Sequence, residues 1–272
     1  MCIRDNTGTV LKTAIKCGIK TALHESNSLP GVSVKMLAPK ADLVMLGTED
    51  AKKHLGECKK CVVTGNPLRN NIPIEEKSAA RKRLGLPDCL TILSAGGSQG
   101  ASRLNEAVVQ LLAYEQKKGN INHIHGYGKH GRDTFMQSLE DNGVEAENPH
   151  FIIKEYIDNM YTCMCASDLI ITRAGAMTLT EITAIGRASV LIPYPYAAEN
   201  HQYYNALTLQ NANAGRIIDD KELTGSVLID TVNRLADDPE LLRLMSENAA
   251  KLSKRDAAGI ILREITELMG IK

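Results

Sequence analysis

Eight short apolar runs, most of them rich in β-branched residues, recur along the chain with amphipathic stretches between them, and this alternation limits the fold more than any other feature. The runs are KTALH (20–24), DLVML (42–46), KCVVT (60–64), CLTILSA (89–95), INHIH (121–125), HFIIK (150–154), DLIIT (168–172) and SVLIPY (189–194). Between them, in segments such as 101–117, Leu104, Val108, Leu111 and Leu112 fall at the spacing of one helix face. Strand, helix and strand repeated this often imply right-handed crossovers and parallel sheets covered by helices on both faces. After Asp219 the pattern is helical to the end.

A chain of 272 residues can bury one large core or two ordinary ones. TGNPLRNNIP (64–73) reads as a linker, since two prolines, a glycine and three asparagines separate strand-like from helix-like sequence. The front piece holds only three strand candidates, which by the usual size of doubly wound domains is the back half of one.

Charge and cysteines narrow the function classes. Lys plus Arg and Asp plus Glu both total 32, with no basic block, so nucleic-acid binding is set aside. No secretory leader pattern and no 18-residue apolar segment occurs, which predicts a cytoplasmic, non-spanning chain. Seven cysteines, at 2, 17, 58, 61, 89, 163 and 165, suit reduced thiols better than a disulfide framework. Cys58 and Cys61 form a CxxC with no second pair, so they read as small residues flanking a strand rather than as a zinc or redox centre.

LSAGGSQGASRLNEA (93–107) sets a glycine-rich turn between a strand and a helix. Gly96, Gly97 and Gly100 allow close ligand approach, and the following helix start offers free N–H groups to a phosphate. The same letters also spell GxSxG, the nucleophile elbow of α/β-hydrolases, with Asp168 and His201 following Ser98 in hydrolase order. Against that rival, no HGGG-type segment precedes Ser98, and Asp168 stands at the start of its strand. On either reading Ser98 is expected to cap the helix.

ITRAGAMTLTEITAIGRASVLIPYPYAAENHQYYNA (171–206) places polar groups after two strand candidates. Glu181 stands three residues after Thr178, the spacing of a capping box, yet its carboxylate could equally accept from a ribose diol. Arg173 ends a strand, where open α/β sheets bind ligands. Asn200, His201, Gln202 and Asn205 offer the donors and acceptors a hydroxyl-rich sugar needs. His123 and His125 share a strand face and, lacking a third ligand, read as strand-edge residues rather than a metal site.

Taken together, HESNSLPG (24–31), TGNPLR (64–69), GGSQGA (96–101), Tyr156-Ile157-Asp158, ITRAGAMTLTEI (171–182) and AAENHQYYNA (197–206) resemble the MurG family, in order and at similar spacing. These are the N-acetylglucosaminyltransferases that convert lipid I to lipid II in bacterial peptidoglycan synthesis. The resemblance runs from about residue 8 onward and implies an α/β chain of the GT-B type, two Rossmann-like domains facing across a cleft. On that pattern 1–68 is the rear part of the acceptor domain, 69–255 the UDP-sugar domain, and 256–272 a helix returning to the first domain.

The resemblance also implies roles. Glu181 would bind the uridine ribose, and the Ile157 backbone the uracil. Ser98, Arg173 and Arg69 would face the diphosphate. Ala176, Met177 and Thr178, with His201, Gln202 and Asn205, would line the N-acetylglucosamine, while Asn27 would reach the reacting sugar or the acceptor. The implied partners are UDP-N-acetylglucosamine, the lipid-linked muramyl-pentapeptide and the inner face of the cell membrane, with no metal or cofactor required.

The sequence departs from the family at one point. No GGTGGH-like loop, which carries the favoured base histidine of the family, occurs in it. By family pattern the front domain is incomplete, and His24 is the one front-domain histidine near a motif that could substitute. The expectation is a chain that keeps the donor site but transfers poorly alone. The alternatives are a UDP-sugar-binding subunit completed by a partner chain, and the serine hydrolase.

Overall fold

The computed structural model describes residues 3–69, 72 and 74–271. Cys2 and the linker residues Asn70, Asn71 and Pro73 lie outside them. Among the described residues nine strands form two sheets, all parallel. The front sheet has the order β1-β2-β3, from β1 (Ala22–Glu25), β2 (Leu43–Leu46) and β3 (Cys61–Val63). The rear sheet contains β4 (Leu90–Ala95), β5 (Ile121–Gly126), β6 (Phe151–Lys154), β7 (Leu169–Thr172), β8 (Ala188–Leu191) and β9 (Gly215–Ile217), in the order β6-β5-β4-β7-β8-β9.

Helices follow the strands as the alternation requires. α1 (Ile3–Lys16) and α2 (Val32–Leu37) belong to the front, and α3 (Lys77–Leu84) opens the rear domain. There α4 (Ser102–Lys118), α5 (Phe135–Asp141), α6 (Met160–Ala166), α7 (Ala176–Ile185) and α8 (His201–Asn211) connect successive strands. Three more close the chain, α9 (Gly225–Ala236), α10 (Pro239–Lys251) and α11 (Ala257–Met269).

Both faces of the rear sheet are buried, because neighbouring residues of a strand point to opposite sides. Ile92, Ile171 and Val190 pack with Leu104, Leu111 and Leu228 in one core. Leu93, Ile170 and Leu191 pack with Met164, Ile182 and Leu209 in the other. The front sheet has a small core of Ala38, Ala41, Val44, Leu46 and Ala51. Lys60, at the start of β3, pairs with Glu264 at 2.7 Å and Glu267 at 2.9 Å on α11.

Three local expectations fail for identifiable reasons. His123 and His125 are not at a strand edge: β5 lies between β4 and β6, and both side chains are fully buried. There Ser94 Oγ bridges His123 Nε2 at 2.6 Å and His125 Nδ1 at 2.7 Å, and Glu115 Oε2 meets His123 Nδ1 at 2.7 Å. Burial and the neighbouring His123 push the His125 imidazole well below the usual histidine range. Ser98 caps nothing, because α4 starts at Ser102 with Ala101 at its N-cap and no side-chain cap. Finally β9 has no run of its own in the sequence; it is three residues paired to β8, from Ser189↔Gly215 to Leu191↔Ile217.

Candidate functional site

In the rear sheet β5 and β6 lie to one side of β4, and β7, β8 and β9 to the other, so the chain reverses direction between β4 and β7. Loops at such a switch point diverge and leave a crevice beyond the carboxyl ends of the strands, where open α/β sheets bind ligands. The glycine turn leaves β4 at this point, and Arg173-Ala174-Gly175 leaves β7 beside it.

The turn is rigid by construction. Gly100 has φ +84°, and a Cβ there would lie 2.3 Å from the Tyr127 carbonyl oxygen. Lys129 N and His130 N donate to Ser98 O at 3.3 Å and Gln99 O at 2.8 Å, bracing the turn from behind. Gly97, at φ +87°, has open space where a side chain would stand, and Ser98 is exposed. Neither α4 nor α7 carries a side-chain cap, so the first N–H groups of both helices lack the usual internal acceptor.

Glu181 is on α7 but makes no capping box: the N-cap is Gly175, and Thr178 is the third helical residue. Its Oε1 instead accepts from the Tyr161 hydroxyl at 3.0 Å. Burial raises the Glu181 carboxyl above the usual glutamate range, while Tyr161 and Arg69 pull it back. Burial likewise raises the Tyr161 hydroxyl. Arg69 is exposed, close enough for its charge to act on Glu181, and Ile157 packs its side chain against Gly126.

The row of amides does something the sequence did not suggest. Gln202 Oε1 accepts from Ala174 N at 3.2 Å and Tyr194 N at 2.9 Å, and Asn205 Nδ2 donates to Ala174 O at 3.2 Å. Both polar groups of Ala174 are thereby held by α8, which fixes the loop between Arg173 and Gly175. Asn205 is buried, accepts from Ser28 N at 2.7 Å and donates to Asn27 Oδ1 at 3.1 Å, so it joins this loop to the front domain. His201 Nδ1 donates to Ala198 O at 2.9 Å. Glu199 and Asn200 enter α8 with φ of +51° and +57°, a left-handed pair at the rim of the site.

On the front side, Glu25 shapes the loop that carries Asn27. Its carboxylate accepts from Asn27 N at 2.9 Å, Asn27 Nδ2 at 3.1 Å and Gly31 N at 3.1 Å. A cavity of about 440 Å³ separates the domains, with Ser26, Thr48 and Asn66 on one wall and Ala176, Leu179 and Thr180 on the other. His24 is held near it by its Nε2, which donates to Gly65 O at 3.0 Å. The remaining positions, Ala176, Met177 and Thr178, form the first turn of α7.

The hydrolase arrangement is absent. Ser98 follows the carboxyl end of β4, whereas Asp168 precedes the amino end of the parallel neighbour β7, so the two stand at opposite edges of the sheet. Asp168 is bound there by Arg81 Nη2 at 2.5 Å, Lys77 Nζ at 2.7 Å and Thr91 N at 2.9 Å. Among the described residues no cluster of three or more His, Cys, Asp or Glu side chains is placed to hold a metal, and no helix is long and apolar enough to cross a membrane.

Residues 91–260 match the glycosyltransferase family 28 C-terminal domain. The chain is 37% identical over 264 residues to the UDP-N-acetylglucosamine–N-acetylmuramyl-(pentapeptide) pyrophosphoryl-undecaprenol N-acetylglucosamine transferase of Desulforamulus reducens, covering 96% of this chain and 71% of that protein. The transferase of the same name from Desulfitobacterium hafniense is 38% identical, with 94% and 70% covered. The chain belongs to the MurG family. The crystal structure of Acinetobacter baumannii MurG superposes with a TM-score of 0.78 at 27% identity, over 96% of this chain and 70% of that one. Two Rossmann-like domains of a GT-B glycosyltransferase are thus present, the front one represented by three strands.

Sequence reasoning missed Glu25, Tyr161 and Asn66. Glu25 was visible inside HESNSLPG, but its loop-shaping role needs the turn geometry. Tyr161 carries no sequence signal, since only the packing of α6 against α7 brings it to Glu181.

Proposed function

We propose that this chain binds UDP-N-acetylglucosamine in the crevice between the glycine turn and the Arg173 loop, as donor for an inverting transfer to lipid I that gives lipid II. The observation that carries this reading is the convergence of the glycine turn, the uncapped start of α7 and Glu181 at one switch point, in a chain 37% identical to such a transferase. Glu181 accepts from the ribose diol and the Ile157 backbone meets uracil. Ser98, Arg173 and Arg69 attend the diphosphate, and Ala176, Met177, Thr178, His201 and the free amide edge of Gln202 attend the sugar. Asn27 reaches toward the acceptor side, held there by Asn205.

In the transfer, an acceptor hydroxyl oxygen bonds to the anomeric carbon as the bond from that carbon to the diphosphate oxygen breaks. Negative charge grows on the leaving UDP, where fixed N–H groups and a guanidinium stabilise it most. The hydroxyl proton passes to a base on the front side. His24 donates its Nε2 proton to Gly65 O, so Nδ1 is the ring atom left to accept a proton. General-base help at this step is worth roughly 10²- to 10⁴-fold.

A partner chain is a second source of a base on the front side. Among the described residues β1 is hydrogen-bonded to a strand only on its β2 side, so its other edge can take a further parallel strand. Acting on a lipid-linked acceptor, the chain works at the cytoplasmic membrane surface as a peripheral protein. Isothermal titration with UDP-N-acetylglucosamine is the test. Saturable binding that is lost in Glu181→Ala is expected, and no heat from the unsubstituted chain at millimolar ligand sinks the reading.

A further inference from the structure

Asp220 takes no part in the site as described so far. It lies in the short turn after β9, and its carboxylate is largely buried. Its Oδ1 accepts from Arg173 Nη1 at 2.5 Å, its carbonyl oxygen accepts from Arg103 Nη1 at 2.9 Å, and its Oδ2 stands 3.8 Å from Arg103 Nε. Arg173 leaves the end of β7, and Arg103 sits in the first turn of α4 behind the glycine turn. One acidic residue therefore ties together cations from the two sides of the crevice.

The way Arg173 is held matters. Nη1 also donates to Ile192 O at 3.2 Å and Pro193 O at 3.3 Å, and the guanidinium lies 5.7 Å from the centre of the Tyr194 ring. Every hydrogen bond of this guanidinium among the described residues runs through Nη1, and none through Nε or Nη2. A guanidinium is a planar fork, so pinning one nitrogen fixes the direction of the other donors. We propose that Asp220 is a positioning residue for the donor diphosphate: it clamps Nη1 so that the Nε and Nη2 edge of Arg173 presents two parallel donors to phosphate oxygens. The inference rests on the donor-site reading above.

A plain counter-ion would act in the opposite sense, since removing it would free a cation and tighten an anionic ligand. Titration of the full chain with UDP and with uridine separates the two, because uridine reports the nucleoside pocket without the phosphates. Asp220→Ala is expected to weaken UDP about tenfold, the scale of one charge-assisted hydrogen bond, and to leave uridine binding unchanged. Asp220→Asn, which keeps an acceptor for Nη1, is expected to hold UDP affinity within about threefold of the original. In an Arg173→Lys background, where the fork is gone, Asp220→Ala is expected to have no further effect on UDP. UDP binding that stays equal or tightens in Asp220→Ala, while Arg173→Lys weakens it, overturns the role of Asp220 alone. An unsubstituted chain that binds neither UDP nor uridine overturns the donor-site reading and this inference with it.

Discussion

Burial lifts the Glu181 carboxyl above the ordinary glutamate range, and the Tyr161 hydroxyl and Arg69 only partly restore it. The sign of the consequence differs for folding and for binding. For folding, a raised carboxyl holds its proton longer in the native state than in the unfolded chain, so this group adds stability as pH falls through its folded pKa. A ribose diol needs the ionised form as a double acceptor, so UDP binding is expected to fade over the same window, starting above pH 4.5. Glu181→Gln should bind UDP weakly at every pH and lose this acid limb. Tyr161→Phe removes a hydrogen bond that favours the carboxylate and should move the limb to higher pH. Titration calorimetry across pH 4 to 8 reads both, and an unchanged limb in Glu181→Gln would assign it to another group.

The glycine turn is an element whose residues look alike in sequence but carry different constraints. Gly97 and Gly100 both have positive φ, yet only Gly100 is walled in, by the Tyr127 carbonyl. Gly97→Ala should therefore cost only the left-handed backbone strain, about 1–2 kcal/mol. Gly100→Ala adds a clash with backbone that must move, so its cost should exceed that of Gly97→Ala, and the shifted turn should weaken UDP as well. Urea unfolding compares the two, and equal costs would show that the turn is free to yield. The same element explains the misplaced helix start. The strand-to-helix signal in LSAGGSQGASRLNEA was legible, but whether Ser98 or a later residue begins the helix depends on the bracing by residues 127–130.

Across the molecule, the donor loop and the front domain share one amide. Asn205 joins Ala174 of the β7–α7 loop to Asn27 and Ser28, Ser28 Oγ meets Thr208 Oγ1 at 2.9 Å, and Asn66 Nδ2 donates to Thr180 Oγ1 at 3.0 Å. Gly65, at φ +82°, lets the front backbone pass against Lys254, where a Cβ would stand 2.4 Å from the lysine Cβ. Asn205→Ala leaves the buried Ser28 N–H without its acceptor, a loss of about 1–3 kcal/mol. It should also loosen UDP, because Ala174 loses one of its two supports. Lys60→Ala removes an exposed pair with Glu267 but also strips the cation from the buried Glu264 Oε2, so it should lower the melting temperature as well. Scanning calorimetry with UDP present and absent checks both, and an Asn205→Ala chain that melts and binds like the original would show that the domains are coupled elsewhere.

The sequence by itself determined the parallel α/β class, eight of the nine strands found among the described residues, the crevice-forming loops and the family, because apolar periodicity and glycine spacing are local properties of the chain. Its strand-to-helix signals also set Arg173 just after β7, Glu181 on the helix that follows and the 201–205 row at the start of the next. Their partners were decided only by tertiary structure. Tyr161 reaches Glu181, Asp220 reaches Arg173 and Asn205 reaches Ser28 across separations of 20, 47 and 177 residues. The same holds for His123 and His125, whose strand was legible but whose burial follows from β6 pairing outside β5. A hydrogen bond is made by whichever donor and acceptor the packed layers bring within about 3 Å, and residue type alone states only that a partner is needed.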